Sequence, residues 1–313
     1  MGRGPAWYSG RHGGGHDGSG ASMAAQCAGV HSLWNCRVHG ADPPDGLKRM
    51  ASSVDYHQNL DRYQRQTVFA PIGPEGQARL SRGRVAIIGI GALGTMIANS
   101  LARAGVGFIR LIDSDRVETS NLQRQMLFEE TDATRHRYKA EAASRHLRGI
   151  NSSIVIEPII ARADEANIGE LIDGVDVVLD GADNFDIRYI ANDACRQRGL
   201  PWIYGGVLGD SGVTLNVLPD GGPCFRCLLP EPPVPGSYST PALAGVLNQI
   251  TAVIGSIEAL EAVKLLVGSP DVRRTLLSID LWSSSFRQIE VSRNPDCPIC
   301  GGQRTASSQA VAG

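Results

Sequence analysis

Residues 84–94, "RVAIIGIGALG", decide the fold. Val85 to Ile88 form a short run too uniformly apolar to leave one face in water, which reads as a buried strand. Gly89, Gly91 and Gly94 follow in the pattern G-x-G-x-x-G, and "ALGTMIANSLARAG" continues as an amphipathic helix ended by Gly105. The first glycine permits the tight turn, the second lets a phosphate approach the backbone, and the third lets helix and strand pack closely. An anion then meets a helix N-terminus. Such a turn calls for an acid about 20 residues later to take the ribose hydroxyls. Asp113 ends the next strand, "FIRLID", 24 positions after Gly89.

Outward from this turn the alternation is regular. "KAEAASRHLRGIN" reads as a helix and "SSIVIEPIIA" as a third strand. The short helix "DEANIGELIDG", the fourth strand "VDVVLDGAD" and the helix "FDIRYIANDACRQRG" follow. Strands alternating with helices predict βαβ units, a parallel sheet and right-handed crossovers. After Pro201 the pattern changes. "PWIYGGVLGDSGVTLNVL" is two strands around a Gly-Asp-Ser-Gly turn, a hairpin signal, and "TLLSIDLWSSSFRQIEV" is a second pair. The expected fold is therefore α/β, with a Rossmann-like parallel half continuing into an antiparallel half on one sheet.

Bulk properties narrow the function. A net charge of −2 over 313 residues gives no general electrostatic argument for nucleic acid or an acidic membrane surface, so a highly charged ligand needs a local cluster. The most apolar stretch, from Ala242 to Gly268, carries Asn248, Gln249, Glu258, Glu261 and Lys264. Its Leu247, Ile250, Ile254 and Ile257 recur on one helical face, which predicts a core helix rather than a membrane span. Residues 1–49 are Gly-rich and aperiodic, without the apolar core of a signal peptide. They are expected to be a disordered or mis-assigned extension, with Met50 as the start. The ordered domain is then 50–302, and 303–313, "QRTASSQAVAG", a flexible tail. The expected compartment is the reducing cytoplasm, where close cysteine pairs point to metal before disulfide. "CFRC" and "CPIC" supply Cys224, Cys227, Cys297 and Cys300 with 69 residues between the pairs, the arrangement of a Cys₄ zinc site. Cys195, on a predicted helix, reads as a small core residue.

The glycine turn does not choose the nucleotide. After Asp113 the chain runs "SDRVETSNLQRQ", with Asn121, Gln123, Arg124 and Gln125 close together and Lys139 on the next helix. A triphosphate needs more cations around it than a dinucleotide, and Arg and Lys supply a planar fork and a point charge. On composition alone, a solvated polar loop with an incidental Arg accounts for the block as well.

"RYQRQ", "GIGALG", "DSDRVETSNLQRQ", "KAEAA", "GADN", "PCFRC" and "RNPDCPICG" stand in the order found in the ThiF/MoeB/HesA family, and over about residues 61–302 the chain resembles it. These proteins are similar to the adenylation domain of ubiquitin-activating enzymes. The likeness leans towards the molybdopterin-synthase adenylyltransferases and their thiamine-pathway relatives. It implies that ATP and Mg²⁺ are used to adenylate the C-terminal carboxylate of a small ubiquitin-like sulfur carrier ending in Gly-Gly, releasing pyrophosphate.

The resemblance also implies roles by position. Gly89, Gly91 and Ala92 would hold the phosphates, with Gly94 completing the turn, and Asp113 would hold the ribose. Ser120, Asn121, Leu122, Gln123 and Arg124 would contact the nucleotide, with Arg124 on the phosphates. Lys139 is the phosphate lysine, although "EETDATRHRY" before it lacks the family's Gly-x-Pro. Asp183 would bind magnesium, with Asn184 beside it, and the zinc is structural. Arg65 would enter the neighbouring ATP site of a homodimer. Where some relatives carry a loop cysteine, this chain has Pro241. Adenylation without a covalent protein intermediate is thus expected, with sulfur from a separate donor such as a cysteine desulfurase or a rhodanese. No rhodanese-like segment is expected after the tail. A nicotinamide-dependent Rossmann oxidoreductase would leave Arg65, Arg124, Lys139 and Asp183 without a use. A non-catalytic binding scaffold is the other alternative.

Overall fold

The buried apolar runs and their intervening helices build a single mixed sheet in a computed structural model that describes residues 54–234 and 241–301. The expectations for 1–49 and for the 303–313 tail lie outside the described residues. In chain order the described elements begin with α1 (Val54–Thr67), α2 (Gly73–Leu80), β1 (Arg84–Ile88), α3 (Ala92–Ala104) and β2 (Phe108–Ile112). A 3₁₀ turn (Thr119–Asn121), α4 (Glu130–Thr134), α5 (Lys139–Ile150), β3 (Val155–Ile159), α6 (Ile168–Leu171) and β4 (Val177–Asp180) come next. The remainder is α7 (Phe185–Arg198), β5 (Trp202–Leu208), β6 (Ser211–Val217), α8 (Phe225–Leu228), α9 (Pro241–Ala244), α10 (Asn248–Val267), β7 (Leu276–Asp280) and β8 (Ser285–Ile289).

The eight described strands lie in the order β3-β2-β1-β4-β5-β6-β7-β8. Pairs from β3 through β5 are parallel and those from β5 through β8 antiparallel, as the sequence predicts. Val85, Ile87 and Leu111 face one apolar core beneath α3 and α10, while Ala86, Ile88 and Ile112 face a second core beneath α7. Burial on both faces explains why β1 shows no polar alternation.

The glycine turn is a three-backbone junction. Gly89 takes φ +88°, and a Cβ on Gly94 would stand 1.9 Å from the Gly89 carbonyl oxygen. A Cβ on Gly181, at the end of β4, would stand 2.1 Å from the same atom. β1, α3 and the β4 exit can converge only because these positions lack side chains.

Helix α10 corrects the expectation of one apolar face. Ile250 and Ile254 are buried, but Leu247 is exposed at the N-cap and Ile257 is only partly covered. The helix is instead covered on several sides. Gly255 meets Met96 and the Leu93 carbonyl of α3, Ile254 lies over Gly212 of β6, and Glu258 lies over Gly205 of β5. A helix enclosed in this way need not be amphipathic.

The loop before α5, which lacks the family's glycine, still makes a turn. His136 adopts φ +45°, the left-handed region that favours glycine, and the Arg116 guanidinium donates to its carbonyl while stacking 3.8 Å from the Tyr138 ring centroid. Asp132 pins this loop from beneath. Its buried carboxylate accepts from Arg145 at 2.6 Å and Arg137 at 3.2 Å, and lies 2.7 Å from His146 Nε2. Burial alone would raise its pKa, but the His146 contact, the Glu129 backbone and Arg145 outweigh it and hold the carboxyl below its ordinary value.

Candidate functional site

A cavity of about 1030 Å³ opens at the C-terminal ends of the parallel strands, where α3 and α7 leave β1 and β4. Ligands of open α/β sheets bind at such ends. Its floor is the glycine turn. The first turn of α3 has no side-chain cap at Gly91, so early helix N–H groups are left for a ligand.

Asp113 lies beside that turn. Its Oδ2 accepts from the Ile90 N–H at 2.7 Å and its Oδ1 from the Asp115 N–H at 2.7 Å. Burial raises its pKa against the lowering influence of Lys139 and these two backbone donors. Opposite stand Ser120, Gln123 and Arg124, carried by the 3₁₀ turn and the residues after it. Arg124 Nη1 donates to the Ser120 carbonyl at 3.0 Å. Lys139 enters from the first residue of α5, and Asp183 and Asn184 from the start of α7. There Asn184 caps the helix by accepting from the Ile187 N–H and donates to Asp183 Oδ1 at 3.2 Å.

The cavity thus gathers Gly89, Gly91, Ala92, Asp113, Ser120, Gln123, Arg124, Lys139, Asp183 and Asn184. Three expected residues sit behind the wall rather than on it. Gly94 is consumed in the backbone junction. Asn121 is a buried brace whose Oδ1 accepts from the Glu118 N–H at 3.1 Å, and Leu122 packs against the apolar core. Arg65 is exposed on the last turn of α1, outside this cavity.

Three further wall residues had no site role assigned from the sequence. Asp115 pairs with Lys139 at 2.9 Å. Gln125 Oε1 is buried with no hydrogen-bond partner among the described residues, an acceptor on the wall of the cavity. Arg188 binds Asp180 at 2.9 Å and donates to the carbonyls of Ala182 at 2.8 Å and Gly205 at 3.0 Å, bracing the turn that carries Asp183. Gln125 was legible as the end of "SNLQRQ". Arg188, on a helix four residues beyond Asn184, gave no signal.

The ThiF family profile matches residues 63–299. The chain belongs to the ThiF family. The SAMP-activating enzyme E1 of Haloferax volcanii is 42% identical over 253 residues, covering 80% of this chain and 92% of that protein. The sulfur carrier protein ThiS adenylyltransferase of Bacillus subtilis is 41% identical over 242 residues, covering 77% and 71%. Among solved structures, E. coli MccB with ATP shares the fold with a TM-score of 0.65 at 24% identity, covering 80% of this chain and 75% of that one. These matches bear out the resemblance read from the motifs.

Away from the cavity, the two cysteine pairs meet. Cys224 Sγ lies 4.0 Å from Cys227 and 3.6 Å from Cys297, Cys227 lies 3.3 Å from Cys300, and all four sulfurs fall within 4.8 Å of one another. Tetrahedral thiolates about 2.3 Å from one ion stand roughly 3.8 Å apart, so the donor set fits a closed structural metal site. Helix α7 holds the first pair. Asn192 Oδ1 accepts from the Phe225 N–H at 2.8 Å, and Arg226 grips Asp193 at 2.7 Å while lying 4.8 Å from the Tyr189 ring centroid. Cys195 is fully buried and burial pushes its thiol up to about 12, as a small core residue should behave. None of these five described cysteines lines the cavity. No described helix is long and apolar enough to cross a membrane.

Proposed function

We propose that this protein adenylates the C-terminal glycine carboxylate of a small ubiquitin-like sulfur carrier. The supporting observation is that residues from five separate segments, the glycine turn, Asp113, the group Ser120, Gln123 and Arg124, Lys139 and Asp183, line one cavity. The reactions named for the similar H. volcanii and B. subtilis proteins supply the substrate class.

The carrier carboxylate attacks the α-phosphorus of ATP, forming a C–O–P linkage and breaking the bond to pyrophosphate. A protein nucleophile has no part in this step, so catalysis rests on positioning and charge. The first turn of α3 receives phosphate oxygens, Asp113 takes ribose hydroxyls on lone pairs left by its two backbone bonds, and Arg124 and Lys139 balance phosphate charge. Gly206, Gly212 and Gly245 also line the cavity, and the Gly-Gly tail would reach the α-phosphate past them. Asp183 is the residue to hold Mg²⁺, which when bound neutralises charge on the phosphates. Zn²⁺ suits the four cysteines as a structural ion. Arg65 completes the site of a neighbouring copy in a homodimer. The acyl-adenylate then passes to a separate sulfur donor, a cysteine desulfurase or rhodanese, in the cytoplasm. Among carriers we favour the molybdopterin-synthase or thiamine type.

The test is ATP–pyrophosphate exchange with Mg²⁺ and a panel of carriers ending in Gly-Gly. Exchange with one carrier, lost in Lys139→Ala and Asp183→Ala, is expected. Folded protein that binds ATP yet exchanges with no carrier would overturn the reading in favour of a scaffold.

A further inference from the structure

Lys139 and Asp115 both line the cavity, and their charges are spent on one another. Lys139 Nζ donates to Asp115 Oδ2 at 2.9 Å, with the lysine side chain 10% exposed and the aspartate 67%. The backbone repeats the contact, since the Lys139 N–H donates to the Asp115 carbonyl at 2.8 Å. Asp115 is in turn fixed by its own N–H to Asp113 Oδ1 at 2.7 Å. Arg116 and Tyr138 bridge alongside. The residue facing the ribose end of the site is thus wired through Asp115 to the lysine facing its phosphates.

The other buried cation on the wall, Arg188, is matched by Asp180. An arriving triphosphate therefore meets a lysine whose charge is already balanced. Because Asp115 is mostly in water and Lys139 is not, the aspartate is the partner that can leave at small cost.

We propose that Asp115 is a positioning residue that holds Lys139 ready and yields it to the incoming phosphate chain, which makes nucleotide without a divalent cation a poor ligand. The inference rests on the nucleotide site proposed above. Asp115→Asn keeps the shape and the backbone bonds but removes the charge. ATP binding to the full chain is measured by titration calorimetry in EDTA and again with Mg²⁺, for wild type, Asp115→Asn, Lys139→Met and the double variant. In EDTA, Asp115→Asn is expected to tighten ATP by about fivefold, the upper range for a partly exposed pair. That gain should vanish in the Lys139→Met background, where the double variant binds no better than Lys139→Met, even if neither binds.

A charge removed from a merely structural site would not tighten binding at all. Unchanged or weaker ATP binding by Asp115→Asn overturns the proposal. So does a gain that persists without Lys139, which would mean that Asp115 acts on phosphate directly. Asp115→Ser, checked by thermal melting, serves if the asparagine variant does not fold. Wild-type protein that fails to bind ATP even with Mg²⁺ would instead sink the nucleotide-site reading itself.

Discussion

Replacing Arg188 by methionine should cost far more than the loss of one surface charge. Its guanidinium and the Asp180 carboxylate are 9% and 3% exposed and meet at 2.9 Å. Methionine fills much of the aliphatic volume but leaves Asp180 buried with only backbone donors, the Ala182 N–H at 2.9 Å and that of Gly205, and no countercharge. It also strips donors from the Ala182 and Gly205 carbonyls. Breaking a buried pair from one side costs about 3–5 kcal/mol, most of it from the charge left behind. Asp180 already sits above the ordinary carboxylate value because burial outweighs Arg188, and without Arg188 it rises further. The folded variant then binds a proton that the unfolded chain releases, so its stability falls as pH rises between the unfolded and folded pKa values. Urea unfolding at several pH values should show a deficit of about 4 kcal/mol near pH 8 that shrinks towards pH 5, and Asp180→Asn with Arg188→Met should recover part of it. A deficit below about 1 kcal/mol, or one that deepens on acidification, would refute the account of this pair.

Gly94→Ala drives a methyl group into the Gly89 carbonyl and should cost about 3 kcal/mol while abolishing ATP binding, both readable by melting with and without nucleotide. Cys297→Ser should lower the bound zinc measured by elemental analysis from one per chain to near zero. It should cost about 3 kcal/mol, or roughly 6–12 °C in Tm for a domain of this size. Glu258→Gln tests a different burial. Both Glu258 carboxylate oxygens are buried without a hydrogen-bond partner among the described residues, and burial followed by Asp180 drives its pKa well up. The wild type therefore loses stability as pH rises through that folded value, and the glutamine variant should be the more stable protein at pH 9, with the difference closing towards pH 5; equal pH profiles would count against a protonated Glu258.

Local chemistry that repeats in the chain was legible in advance, whereas contacts made across the fold were not. The strand–turn–helix at Gly89, the acid Asp113 and the hairpins were written in period and turn residues, and the structure keeps them. Both cysteine pairs announced themselves by spacing, and the fold brings them within 4.8 Å. Asp115 and Arg188 gave no such signal, because their meaning depends on partners 24 and 8 residues away that only the fold brings into contact. The misjudged face of α10 has a similar origin. A periodicity argument assumes a wet side, and α3, β5 and β6 leave this helix little of one. The missing glycine before Lys139 was visible as a departure, but not its remedy, His136 held at positive φ by the arginine that also stacks on Tyr138.

The convergence of Gly89, Gly94 and Gly181 has an evolutionary consequence. When a side chain collides with another side chain, a second mutation can shrink the neighbour and restore the protein. Here the atom struck from both sides is the Gly89 carbonyl oxygen, which every amino acid carries. No substitution at position 89 removes it, so a change at 94 or 181 has no suppressor at the point of collision. The nearest escape is to move a whole strand end, and with it the mouth of the cavity. Selection screens for suppressors of Gly94→Ala should therefore return revertants, while the same screen on Arg188→Met should return second sites at Asp180.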